Sequence, residues 1–170
     1  WVNSWGHYFD SKYQGSFVNN SLVLGYHIPW PNPNKDLFSF RAGIGQLNIA
    51  RGKSFSRKLS IDYRHAYTNW SHTISLNYLH EQYDMSDLPK TTAQLLYPSA
   101  TVNYFSTTNH INPNNGFRFT AAISGTPSQL SSKSSFYQVG AEAKAIVTFY
   151  HYEQFAFRSR YAFTRINHIN

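Results

Sequence analysis

Eight histidines, set among abundant Ser and five Asp, are the side chains of this 170-residue chain that could do chemistry. A nucleophilic serine needs a histidine within hydrogen-bond reach and a third group to orient that histidine. No Gly-x-Ser-x-Gly elbow and no His-Glu-x-x-His pair occurs. Nothing in the spacing selects one Ser, His and Asp from the many, so no catalytic residue is expected and the chain reads as a non-enzyme. The absence of cysteine excludes disulfides and thiolate metal sites. His72 and His80 share one face of a strand but lie too far apart to hold one metal, with His65 on the strand beside them. His151 and Glu153 flank a turn. All of these read as neutral or exposed groups, and neither metal nor cofactor is expected. Gly43 and Gly45 fall mid-strand, where they thin a wall rather than cradle phosphate.

The elements that carry these residues are strands. Charged residues make up 14% of the chain and aromatics 18%, with a mean hydropathy of −0.48. A typical soluble domain has about 25% charged residues. Disordered chains are charge-rich and aromatic-poor, and no apolar run reaches the ~18 residues of a spanning helix. The chain opens on Trp1 without a leader, and reads as a processed or excised piece. Period-two alternation predicts nine strands, near 7–17, 20–28, 37–47, 58–67, 71–83, 94–105, 117–124, 136–149 and 154–165. Connections near 29–36, 67–71, 106–116 and 149–153 read as mostly short, and those near 47–57, 83–93 and 124–135 as long and polar. That alternation suits an up-and-down membrane barrel with short periplasmic turns and longer outer loops.

Splitting the strands by face separates polarity. Phe38, Phe40, Ala42 and Ile44 oppose Ser39, Arg41 and Gly43. Leu59, Ile61 and Tyr63 oppose Lys58, Asp62 and Arg64, and Phe117, Phe119 and Ala121 oppose Arg118 and Thr120. The apolar face is expected to be free of Asp, Glu, Lys and Arg. The other face collects Arg41, Asp62, Arg64, Glu81, Arg118, Glu142, Lys144, Arg158 and Arg160, read as lumen-facing charges. They would pair across strands, contact an acidic plug segment or bias ion passage. Aromatic pairs at strand ends, such as Tyr63 with Tyr67 and Phe149 with Phe155, suit headgroup girdles. A soluble barrel or sandwich would show the same alternation with the apolar face turned inward. Its ligand would pack among Phe38, Phe40, Tyr63 and Phe157.

The net charge is +7. Its Lys and Arg are scattered, without a basic arm or aromatic-plus-basic motif, so no nucleic-acid partner is expected. The densest stretch is Arg51, Lys53, Arg57 and Lys58, read as a basic loop that could meet lipopolysaccharide phosphates.

Four segments resemble the outer-membrane assembly-factor superfamily of BamA, TamA and the two-partner-secretion transporters. They are WVNSWGH (1–7), GYHIPWPNPNKDLFSFRAGIGQ (25–46), LLYPSATVNY (95–104) and INPNNGFRFT (111–120). The first is similar to a periplasmic turn, and the second to a TamA-type turn followed by an aromatic strand with a glycine pair. The third is similar to a strand with Tyr-Pro at its outer end. The last is similar to a turn in which Gly116 would admit positive φ. Their order and spacing point to TamA more than to BamA. The resemblance implies a partial outer-membrane β-barrel domain over 1–170. It would supply about nine strands of a sixteen-stranded barrel in the Gram-negative outer membrane, without a POTRA domain. It implies a role in inserting or secreting outer-membrane proteins such as autotransporters. Its partners would be outer-membrane lipid and lipopolysaccharide, unfolded outer-membrane proteins, and a periplasmic or inner-membrane protein met through domains absent here. A passive porin-like channel is the alternative, and a soluble ligand-binding barrel a more distant one.

Overall fold

A computed structural model describes residues 3–49, 52–85, 89–107, 115–126, 134–149 and 153–168. They form one antiparallel sheet of nine strands: β1 (Tyr8–Gly15), β2 (Asn19–Ile28), β3 (Asp36–Ile49), β4 (Gly52–Ala66), β5 (Trp70–Met85), β6 (Thr91–Thr107), β7 (Gly116–Thr126), β8 (Ser134–Phe149) and β9 (Glu153–His168). Each strand pairs with its sequence neighbours, and the spatial order runs from β1 to β9. The sheet is open, with β1 and β9 as its two edges. All nine expected strands are present, and the fold is all-β and up-and-down.

The strands run further than their alternation shows. β4 begins at Gly52 rather than near 58, and only residues 50 and 51 separate it from β3. Loop lengths are therefore not segregated. Residues 16–18, 50–51, 86–90 and 127–133 join strands at one end, which we call the distal end. Residues 29–35, 67–69, 108–115 and 150–152 join them at the other, the proximal end. The expected contrast of short turns against long loops is absent. The polar stretches that suggested loops are strand ends running past the apolar band, where water satisfies either face and alternation fades.

Register places each expected apolar set on one common face. Phe9 faces Tyr26, Tyr26 faces Phe40, Phe40 faces Ile61, and Ile61 faces Leu76. The row continues through Pro98 of β6, and Val102 faces Ala121 of β7. Charges do occupy this face, contrary to expectation, most of them toward the strand ends but Arg57 only two residues from the middle of β4. Asp36, His65 and His72 form a row at the proximal end. Lys53 faces Asp84 at the distal end, and Arg57, nearer the middle of β4, faces His80. Glu153 and Arg165 lie toward opposite ends of β9, facing Phe149 and Tyr137.

Burial shows which way the sheet curves. Among the described residues no hydrophobic side chain is buried. Of the seven buried polar residues among those described, Ser39, Ser60, Asp62, Ser71, Asn77 and Thr126 keep 2–7% of their surface and lie on the polar face, and the seventh, Asp36, lies at the proximal end of the apolar face. Size alone does not explain this. Ala42, as small as a serine and set between Leu24 and Leu59 on the apolar face, is exposed. A curling sheet crowds the side chains inside the curve and splays those outside it. The polar face is the concave one.

Candidate functional site

The concave face carries the charged chemistry, and the meander puts its members in cross-strand rows. Lys12, Arg41, Lys58, Arg64, Arg118, Lys144, Arg158 and Arg160 lie there against Asp10, Asp62, Glu81 and Glu142. All nine charges expected on this face are on it. Two groupings organise them.

The first spans β1 to β4. The Asp10 carboxylate meets His27 Nε2, and His27 Nδ1 lies 2.8 Å from Ser39 Oγ. Tyr8 stacks on the imidazole with ring centroids 4.4 Å apart. Gly25 is what lets the His27–Asp10 contact form, because a Cβ there would stand 2.6 Å from Asp10 Oδ1 and 2.8 Å from His27 Nε2. One strand further, the Arg41 guanidinium donates to Asp62 Oδ2 at 2.8 Å, and Ser60 Oγ donates to the same oxygen at 3.3 Å. Asp62 Oδ1 is buried without a partner.

The Asp10–His27–Ser39 chain brings together the three residue types of a nucleophilic triad, a set the sequence did not select. Register explains it: Asp10, His27 and Ser39 sit on one face of successive strands near the proximal end. Acyl transfer also needs donors preorganised where an oxyanion would form. The backbone N–H groups of the interior strands β2 and β3 serve the sheet ladders, and Ser39 is 7% exposed. The chain of contacts therefore acts as a tie across three strands.

The second grouping lies on β7 to β9. Glu142 accepts from Lys144 at 2.9 Å, from Arg158 at 3.1 Å and from Arg160 at 2.7 Å. Arg118 faces Lys144, and its guanidinium lies 5.0 Å from the centre of the Phe105 ring. Glu81, the remaining expected charge of known partner, accepts from Ser54 at 2.6 Å. Between the two groupings, Asn77 donates to Ser99 at 3.0 Å and Thr120 to Asn103 at 2.9 Å.

The convex face is an aromatic-rimmed apolar surface. Leu24, Phe40, Leu59, Ile61, Ile74 and Leu76 are all exposed on it. Aromatics gather at its proximal rim. Phe38 and Tyr63 have ring centroids 4.7 Å apart, Trp70 and Tyr104 4.6 Å, and Phe149 and Phe155 5.7 Å. The three described tryptophans, Trp5, Trp30 and Trp70, all lie at that end. Asp36 is buried there, taking hydrogen bonds from Tyr63 Oη at 2.8 Å and Asn32 N at 3.1 Å, and it also meets His65 Nδ1. His65 in turn stacks on His72, with centroids 5.4 Å apart. This pairing of Asp36 with His65 was not expected. Its sequence signal was an acidic residue just after the Pro-Asn turn, across the hairpin from a histidine. Among the described residues no group of three or more metal-ligating side chains is placed to hold an ion.

Other expectations fare differently. Arg51 lies outside the described residues, as does His151. Lys53, Arg57 and Lys58 belong to β4 rather than to a basic loop. They also divide between faces, Lys53 and Arg57 on the convex side and Lys58 on the concave, so they do not form one patch. Arg57 lies 5.2 Å from the centre of the Phe55 ring. Gly43 and Gly45 do lie on the polar face. Gly116 is the first residue of β7, and among the described glycines the positive φ, 78°, is at Gly6. Phe157, on β9, is five strands from Tyr63, so the aromatic pocket imagined for a soluble barrel is not assembled. No family model matches the chain, and no curated protein matches it.

Proposed function

We propose that this chain is wall of an outer-membrane β-barrel belonging to a TamA-like factor that inserts or secretes outer-membrane proteins. The observation that carries the membrane part is the inverted polarity. The crowded concave face is polar and charged, and the exposed convex face is apolar. In a water-soluble barrel the apolar side chains would fill the inside of the curve. In lipid the arrangement reverses, because a charge on the lipid face costs about 2–4 kcal/mol at mid-depth. The aromatic rim supports the same reading.

The assembly role rests on the four resembling segments and on the physics of a sheet edge. An edge strand presents unpaired N–H and C=O groups. In hydrocarbon no water satisfies them, so an incoming strand gains most by pairing there. Such a role needs backbone rather than a catalytic side chain. The excess of cations on the concave face favours a second reading, a pore of biased ion passage.

The test is fractionation of cells expressing the full gene, followed by electrophoresis with and without boiling. Recovery with the outer membrane and a folded band that shifts on heating is the expected result. Loss of other outer-membrane proteins on depletion would support assembly, whereas steady conductance in planar bilayers without that loss would favour the pore. A soluble product with no shift would overturn both.

A further inference from the structure

The charges of β7 to β9 are arranged in a way that folding alone does not explain. Register sets Arg118 opposite Lys144, and Lys144 opposite Arg158, so three cations form one row across the sheet. Like charges directly opposite one another destabilise a sheet. Arg160 stands one step along β9, opposite Glu142. Glu142 is the one carboxylate that contacts this group among the described residues, and it serves three of the four cations. The side chains of Arg158 and Arg160 stay 55% and 64% exposed, so they keep donors for another acceptor.

We propose that this row is a binding site for an acidic polypeptide segment lodged against the concave face. Glu142 itself shows that the site's geometry suits a carboxylate. Guanidinium groups bind carboxylates through forked, charge-assisted hydrogen bonds. Arg158 and Arg160 repeat at two residues, a step of about 6.7 Å along a strand. An extended segment with acids at alternate positions repeats the same step, which a single small anion cannot do. The site goes beyond the proposed membrane role, since it depends on the register and curvature of the sheet and not on what covers the convex face.

The test uses the folded full chain, in detergent micelles or in buffer according to its solubility, and a fluorescein-labelled hexaglutamate peptide followed by anisotropy. Binding is expected, weakening with salt because the pairs are partly exposed. Arg118→Gln is the decisive variant. It removes one cation of the row without removing a contact to Glu142, and relieves a like-charge opposition, so the fold should persist. Its affinity should fall roughly two- to fivefold. Arg158→Gln should fall at least as far. Lys53→Gln, on the convex face, should bind as the parent does. Hexaglutamine should not bind. Equal affinity in the Arg118 and Lys53 variants would overturn the assignment. Full displacement by inorganic phosphate at equal total charge would overturn the polypeptide as ligand.

Discussion

Ile61 lies at the middle of the convex face and tests what that face meets. It is flanked along β4 by Leu59 and Tyr63, and these by Arg57 and His65. Each flanking polar residue is four positions from Ile61, about 13 Å along the strand, so the band between them spans about 27 Å. Tilted by ~40°, as barrel strands are, it rises about 20 Å along the membrane normal, somewhat less than the ~25 Å apolar band of a barrel. Ile61 is 49% exposed and no described residue covers it. In lipid, Ile61→Arg should cost about 2–4 kcal/mol. In water, an exposed position of this kind should change stability by no more than about 0.5 kcal/mol. Urea titration of protein folded into phospholipid vesicles, read by tryptophan emission and by gel mobility without boiling, measures the difference. A cost at Ile61 below about 1 kcal/mol would refute the lipid-facing reading. So would stable folding of Ile61→Arg in buffer without lipid.

Other consequences follow from individual contacts. Gly25→Ala should part Asp10 from His27 and cost about 1–3 kcal/mol, since the added Cβ has no room; an unchanged denaturation midpoint would show that the tie does not hold these strands. Arg41→Met should destabilise more than Asp62→Asn, because the first leaves a buried carboxylate without its half-exposed cation, a loss of about 1–3 kcal/mol, and the second neutralises it; paired denaturant titrations give the order. Brominated lipid acyl chains should quench tryptophan emission most strongly when the bromines lie near the headgroups, because Trp5, Trp30 and Trp70 share the proximal end. Trp70→Ala should reduce that quenching and lose the contact with Tyr104, costing about 0.5–1.5 kcal/mol beyond area.

The sequence by itself determined the local pattern. Side chains alternate across a strand, so Phe38, Phe40 and Ala42 had to share one face and Ser39 and Arg41 the other, whatever the strand paired with. Turn residues such as Pro31, Asn32 and Pro33 marked where pairing reverses. That was enough to read nine strands, their order as a meander, and the side on which all nine expected charges fall. It did not fix the strand ends. Lys53 to Arg57 is polar apart from Phe55, so alternation is weak there, and these residues read as a loop until pairing with Asn48 and Ile44 placed them in β4.

Only the tertiary structure decided the rest. Whether the polar face lies inside or outside the curve is a property of nine strands twisting together, and alternation is the same in either case. Cross-strand registers, set by pairing between residues far apart in sequence, brought Asp36 to His65 and Asp10 through His27 to Ser39. The same registers lined up Arg118, Lys144 and Arg158, whose like charges nothing in the linear sequence places side by side.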